Sequence, residues 1–67
     1  MCRSIKQLRR SDSPPTEAEI QAAALQFVRK VSGYRVPSAA NQQAFEAAVS
    51  DIARTTSHLL DTLVVRG

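Results

Sequence analysis

Cysteine is almost absent from this chain, since Cys2 is the single one among 67 residues. An internal disulfide is therefore excluded, and a reducing, cytoplasmic setting is the default expectation. Glycine is also scarce: Gly33 and Gly67 are the only two, so a glycine-rich phosphate loop is excluded. The length itself excludes barrels, doubly wound sheets and two-domain clefts.

Long apolar runs are missing as well. Apolar residues make up 43% of the chain, but they occur in runs of only a few residues, against the roughly 18 that a membrane helix needs. Ile5 and Leu8 stand isolated among charges, whereas a secretory signal needs roughly 7–15 consecutive apolar residues. The sequence therefore predicts neither a membrane partner nor secretion.

Acidic residues are missing from the first ten positions, which hold Arg3, Lys6, Arg9 and Arg10. The net charge is +3, so the basic excess belongs to this segment. We divide the chain into a basic arm, residues 1–13, and a near-neutral body, residues 14–67. Such an arm favours anionic partners such as RNA or a ribosomal surface. The alternative is a solvated terminus that serves solubility.

The body opens on a helix start. Pro14-Pro15 ends the preceding linker, and Thr16 and Glu19 have the spacing of a capping box. Gly33 is suited to the position that directly follows the last residue of this helix. The spacing predicts a first helix over residues 16–32, whose apolar stripe is Ile20, Ala24, Phe27, Val28 and Val31.

A second helix follows a short connector. Pro37 keeps the preceding residue extended, and either Ser38 or, one turn later, Asn41 caps the start. The spacing predicts a helix over residues 39–65. Its stripe is Ala44, Phe45, Ala48, Val49, Ile52, Thr56, Leu59, Leu60 and Leu63. The predicted fold is all-α: a two-helix antiparallel hairpin preceded by the basic arm.

A hairpin this small leaves one side of each stripe exposed. Ile5 and Leu8 of the arm can cover part of it, and a second copy can cover the rest by completing a four-helix bundle. We therefore expect a homo-oligomer or a larger protein assembly, and a non-enzymatic interaction module as the leading function. The expected interface residues are Ile20, Phe27, Val31, Phe45, Ile52, Leu59 and Leu63.

Nucleic-acid binding is the alternative function. Tyr34 is the one aromatic residue expected to be reachable, because Phe27 and Phe45 lie on the stripes. The basic residues around it compensate the C-terminal charge of a helix equally well. The candidate phosphate contacts are Arg3, Lys6, Arg9, Arg10, Arg29, Lys30 and Arg35.

Few side chains are candidates for catalysis or metal binding. If Met1 is removed, Cys2 becomes an N-terminal thiol whose thiolate Arg3 favours; the alternative is a packing or tolerated residue. Ser57, His58 and Asp61 supply the residue types of a hydrolase triad, but their spacing on one helix does not give its geometry. We expect no catalytic set, no metal site and no cofactor.

Several segments spread along the chain form a recognisable pattern: Cys2-Arg3, Ile5, Leu8, the proline pair, Thr16, the block from Ala22 to Gly33, Pro37-Ser38, Ala40-Asn41, Ala44-Phe45-Glu46, Ala48-Val49 and Leu59-Leu60. In these segments the chain resembles a family of short bacterial proteins, the domain of unknown function 2277. The resemblance implies a bacterial, mostly helical protein and assigns no activity. Ser4 departs from the family's usual asparagine, and Arg9 and Ser11 replace typically aromatic or apolar residues.

Overall fold

A computed structural model describes residues 7–9 and 13–63 of the chain. Within them, helix α1 runs Glu17–Ser32, a 3₁₀ turn runs Ala39–Asn41, and helix α2 runs Gln42–Thr62. The two helices pack against each other, and the described residues contain no strand. The predicted all-α hairpin is confirmed, while its dimerisation stays a prediction.

Helix α1 begins with the predicted capping box. The backbone N–H of Glu19 donates to Thr16 Oγ1 at 3.1 Å, and the Thr16 N–H donates to Glu19 Oε1 at 2.9 Å. The exchange satisfies two amide groups that a helix start leaves without partners.

Helix α1 ends at a left-handed glycine, as the sequence predicts. Gly33 has φ 79°, and its N–H donates to the Arg29 carbonyl at 3.0 Å. A residue with a Cβ resists that conformation, so glycine fixes where the helix stops.

The start of α2 involves both predicted capping residues. Ser38 precedes the 3₁₀ turn and Asn41 precedes α2. The Asn41 side-chain amide donates to Ser38 Oγ at 2.9 Å, and the Asn41 backbone N–H donates to the Ser38 carbonyl at 2.9 Å. Neither side chain bonds to the helix backbone as a cap, so the predicted side-chain capping is wrong, and the two residues instead bond to each other across the tight turn that leads into α2.

Helix α2 is shorter than the predicted range of residues 39–65. Its last residue is Thr62, and Leu63 is extended, with φ −62° and ψ 136°; residues 64 and 65 lie outside the described part. The apolar pattern continues past Thr62, but helices of this length depend on packing. Leu63 is 43% exposed, so its turn lacks the neighbours that would hold it helical.

The core lies where the helices cross. Ala24 and Ala53 are the most buried residues described, at 2% and 3% exposure, and such small side chains allow the helices to approach closely. Leu8 of the basic arm joins the same cluster. The expectation that the arm covers part of the stripe is confirmed for Leu8, whereas Ile5 lies outside the described residues. The buried hydrophobic residues are Leu8, Ile20, Ala24, Val28, Phe45 and Ala53.

Candidate functional site

One side of the hairpin carries apolar side chains that the core does not use. Phe27 and Leu59 are 45% and 52% exposed, and an open hollow of about 330 Å³ separates Phe27 from the outer edge of α2. Contiguous exposed apolar surface of this kind is typical of an interaction site. The surface, which we call the apolar face, consists of Phe27, Ile52, Thr55, Thr56, Leu59 and Leu63.

Leu8 borders this face. It lies in the groove between the helices, beside a hollow of about 280 Å³ that Phe27, Ile52 and Leu60 also line. Leu8 is 7% exposed, so the arm covers part of the groove, while the hollow beside Leu8 stays open. The outer edge of α2 and this hollow are therefore both accessible to a partner.

The predicted interface residues divide into three groups by burial. Ile20 and Phe45 are buried within the hairpin, so they stabilise the single chain and are not available to a partner. Ile52 is half-buried at the margin of the apolar face. The remaining four, which are exposed, are Phe27, Val31, Leu59 and Leu63.

Sequence reasoning missed a second groove on the opposite side of the hairpin. It has a volume of about 530 Å³, and its apolar lining is Leu25, Val36, Phe45 and Val49. Gln42 on its rim donates from Nε2 to Glu46 Oε2 at 3.1 Å. The sequence signal for this groove was Leu25, because it is an apolar residue that lies off the predicted stripe of α1.

Three of the candidate basic residues meet at the hairpin tip. Arg29, Lys30 and Arg35, with Tyr34, line a shallow depression of about 320 Å³. Arg29 Nε donates to the Arg35 carbonyl at 3.0 Å, so Arg29 holds the connector. Among the described residues, neither Lys30 nor Arg35 takes part in an ion pair, and Tyr34 is 45% exposed.

Most of the basic arm lies outside the described residues. Arg3, Lys6 and Arg10 lie outside the described residues, as does Cys2, whose role stays a prediction. Arg9 is exposed, and its carbonyl accepts a hydrogen bond from Gln7 Nε2 at 3.0 Å.

The triad-like residues do not form a relay. In the described part of the chain no hydrogen bond joins the side chains of Ser57, His58 and Asp61. The His58 carbonyl instead accepts a bond from Thr62 Oγ1 at 2.7 Å. Over residues 7–9 and 13–63, no three His, Cys, Asp or Glu side chains lie together as metal ligands would, and neither α1 nor α2 has the length and apolarity to cross a bilayer.

A family described as "Uncharacterized conserved protein (DUF2277)" matches residues 1–67. The chain belongs to this family. The match confirms the resemblance inferred from the sequence. The description of the DUF2277 family names no activity. No curated protein and no solved structure matches the chain.

Proposed function

We propose that the protein is a non-enzymatic assembly module that self-associates through its apolar face. The observation that carries the proposal is the half-exposure of Phe27, Leu59 and Leu63 beside so small a core. Only four large side chains are buried among the described residues, namely Leu8, Ile20, Val28 and Phe45. Full burial of a side chain of this kind contributes about 1.5–3 kcal/mol relative to full exposure. The three exposed residues are already about half-buried, so covering each of them would contribute roughly half of that to the stability of an assembly.

A second copy is the partner that the face itself favours. Asp51 lines the hollow of the face and is ion-paired with Arg54 at 2.8 Å, and the other residues of the face are uncharged. An uncharged surface needs no complementary charge on its partner and is therefore compatible with its own copy, as an isologous interface requires. The single cysteine supports assembly in a reducing compartment, which we propose is the cytoplasm.

Light scattering across a concentration series tests this proposal. The average mass of the wild-type chain should rise with concentration, and Leu59→Glu should abolish the rise because it places a charge in the contact. Val36→Glu is the matched control: Val36 is 73% exposed but lies in the connector, away from the apolar face. A constant monomer mass for the wild type, or equal effects of the two variants, would overturn the proposal.

Binding of single-stranded RNA is a second candidate, and the hairpin tip favours it. Exposed Tyr34 can stack on a base while Lys30 and Arg35 contact phosphates. The C-terminus of α1 also lies at this site, and its carbonyl groups disfavour anions, which opposes RNA binding. The arm's Arg3, Lys6, Arg9 and Arg10 would add to the charge.

Titration of a labelled RNA oligonucleotide at several salt concentrations distinguishes this candidate. Lys30→Ala and Arg35→Ala should each reduce the salt slope by about 0.7. Arg54→Ala is the control, because Arg54 is already paired with Asp51. Deleting the arm would remove Leu8 from the core, so Arg9→Gln and Arg10→Gln test the arm instead. Unchanged slopes in all four tip and arm variants would eliminate the candidate.

A further inference from the structure

The groove of about 530 Å³ on the side opposite the apolar face has an apolar floor. Leu25 of α1, Val36 of the connector and Val49 of α2 contribute to this floor. Ligand clefts in proteins have volumes of about 300–1,000 Å³ and a mostly apolar lining with a few polar groups. The groove has both properties, so the polar groups at its rims indicate which ligand it suits.

Each helical rim of the groove carries a glutamine that bonds to a glutamate one turn away. On α1, Gln21 Nε2 donates to Glu17 Oε2 at 3.1 Å. On α2, Gln42 Nε2 donates to Glu46 Oε2, also at 3.1 Å. Each bond uses one amide hydrogen within the rim, and the carboxylate oxygens, which only accept, remain on both rims. The rims therefore favour a ligand that donates hydrogen bonds or carries positive charge.

The positive charges of the described residues lie away from this groove. No basic residue of the described part lines it, and neither Glu17 nor Glu46 forms an ion pair with another described residue. Lys30 and Arg35 line the depression at the hairpin tip, and Arg54 pairs with Asp51. In a chain whose net charge is +3, the groove is thus an apolar site flanked by two carboxylates that have no cationic partner in the described part.

We propose that this groove binds a short peptide segment of another protein, in which lysine or arginine flanks one or more aliphatic side chains. The aliphatic side chains fill the floor, and the flanking cations pair with Glu17 and Glu46. An acidic segment would bring its own charge against the two carboxylates. Because the groove and the apolar face lie on opposite sides of the hairpin, one chain can self-associate and hold this partner at the same time.

The electrostatic part of this binding is local and modest. The Glu17 and Glu46 side chains are exposed, and an exposed ion pair changes an affinity by about 1.4- to 5-fold. The net charge of the chain opposes a cationic ligand at long range. At an ionic strength of about 0.15 M, however, exposed charges more than about 8 Å apart are largely screened, so the two carboxylates at the rims decide the preference.

Fluorescence anisotropy with three labelled peptides tests the proposal. The first peptide has leucines between terminal lysines, the second has glutamates in place of the lysines, and the third has serines in place of the leucines. The first should bind at least about tenfold more tightly than either of the others, since only it matches both the floor and the rims. The titration is made at about 0.15 M salt and at a protein concentration where light scattering shows only monomer. Its result is therefore independent of the proposed self-association.

Substitutions in the groove provide the second measurement. Val36→Ser removes an apolar side chain that is 73% exposed, and Glu46→Gln removes a carboxylate but keeps an oxygen that can accept from Gln42. Each should weaken binding of the first peptide about two- to fivefold. Asp61→Asn is the control, because Asp61 is an exposed acid of α2 that does not line the groove, and it should leave the affinity unchanged. Circular dichroism checks that all three variants are helical.

Three results would overturn the proposal. They are no binding of the first peptide at millimolar concentration, equal affinity for the lysine and glutamate peptides, and equal effects of Glu46→Gln and Asp61→Asn. Each of them would leave the proposed self-association intact, since that contact lies on the other side of the hairpin. A wild-type chain that stays monomeric but prefers the first peptide would overturn the self-association and support the groove.

Discussion

The Nε–H of Arg29 donates to the backbone oxygen of Arg35 at 3.0 Å, across the tip of the hairpin. This bond connects the last turn of α1 to the segment that leads into α2. The neighbouring N–H of Gly33 bonds to the Arg29 carbonyl, so Arg29 stabilises the turn through both its backbone and its side chain. A residue that sequence reasoning treated as a phosphate contact thus has a structural role.

Replacing Arg29 should therefore cost stability. Arg29→Ala loses the bond to Arg35 and a favourable charge at the helix C-terminus, and we expect the free energy of unfolding to fall by about 1 kcal/mol. Lys30→Ala also loses a charge in the last turn of α1 but no hydrogen bond to the connector, and it should change the free energy of unfolding by less than about 0.5 kcal/mol. Urea unfolding followed by circular dichroism measures both, and equal losses would contradict the structural role of Arg29.

The capping box at the other end of α1 gives the second prediction. Thr16→Ala removes the hydroxyl that accepts from Glu19 N–H, and such a loss costs about 1 kcal/mol. Thr16→Ser keeps the hydroxyl and should stay close to the wild type. The comparison is made by urea unfolding, and an unfolding midpoint of Thr16→Ala equal to that of Thr16→Ser would show that the cap contributes nothing.

Local chemistry explains why the ends of α1 could be predicted from sequence. Thr16, Glu19 and Gly33 act within one turn of their own positions, so their spacing alone carries the information. Helix α2 ends where Leu63 lacks packing neighbours, and the apolar periodicity of the sequence does not show where such packing stops. For that reason the prediction extended the helix past Thr62.

The apolar face was predicted only in part, for a related reason. A helical stripe identifies residues that share a side, but it is wider than the contact with one neighbour. Ile20 and Phe27 belong to one stripe, yet the first is 5% and the second 45% exposed. Which of them is covered depends on the rotation of α1 against α2 and on Leu8, and neither is encoded in the spacing.

Gly33 provides a test of backbone strain alone. A Cβ built on it would meet no atom within 4 Å, while its φ is +79°. Gly33→Ala should therefore lower the free energy of unfolding by about 1–2 kcal/mol through strain and not through a clash. Gly33→Asn should lose less, because asparagine tolerates the left-handed region better. Thermal unfolding of the three proteins measures the order, and an alanine variant as stable as the wild type would contradict the assigned conformation.

Leu8 gives the most demanding prediction, because it tests whether the basic arm is part of the fold. Its side chain is 7% exposed in a cluster with Ile20, Ala24 and Ala53. Leu8→Ala should lower the free energy of unfolding by about 2–5 kcal/mol. That is a large share of the total stability of a chain this small. Gln7→Ala is the control, since Gln7 is exposed and its side chain, within the described part of the chain, bonds to the Arg9 carbonyl. Calorimetry at low concentration, where self-association is negligible, should show a large fall in Tm for Leu8→Ala and a small one for Gln7→Ala. Coincident transitions would mean that the hairpin folds without the arm, and the groove beside Phe27 would then be open along its length to a partner.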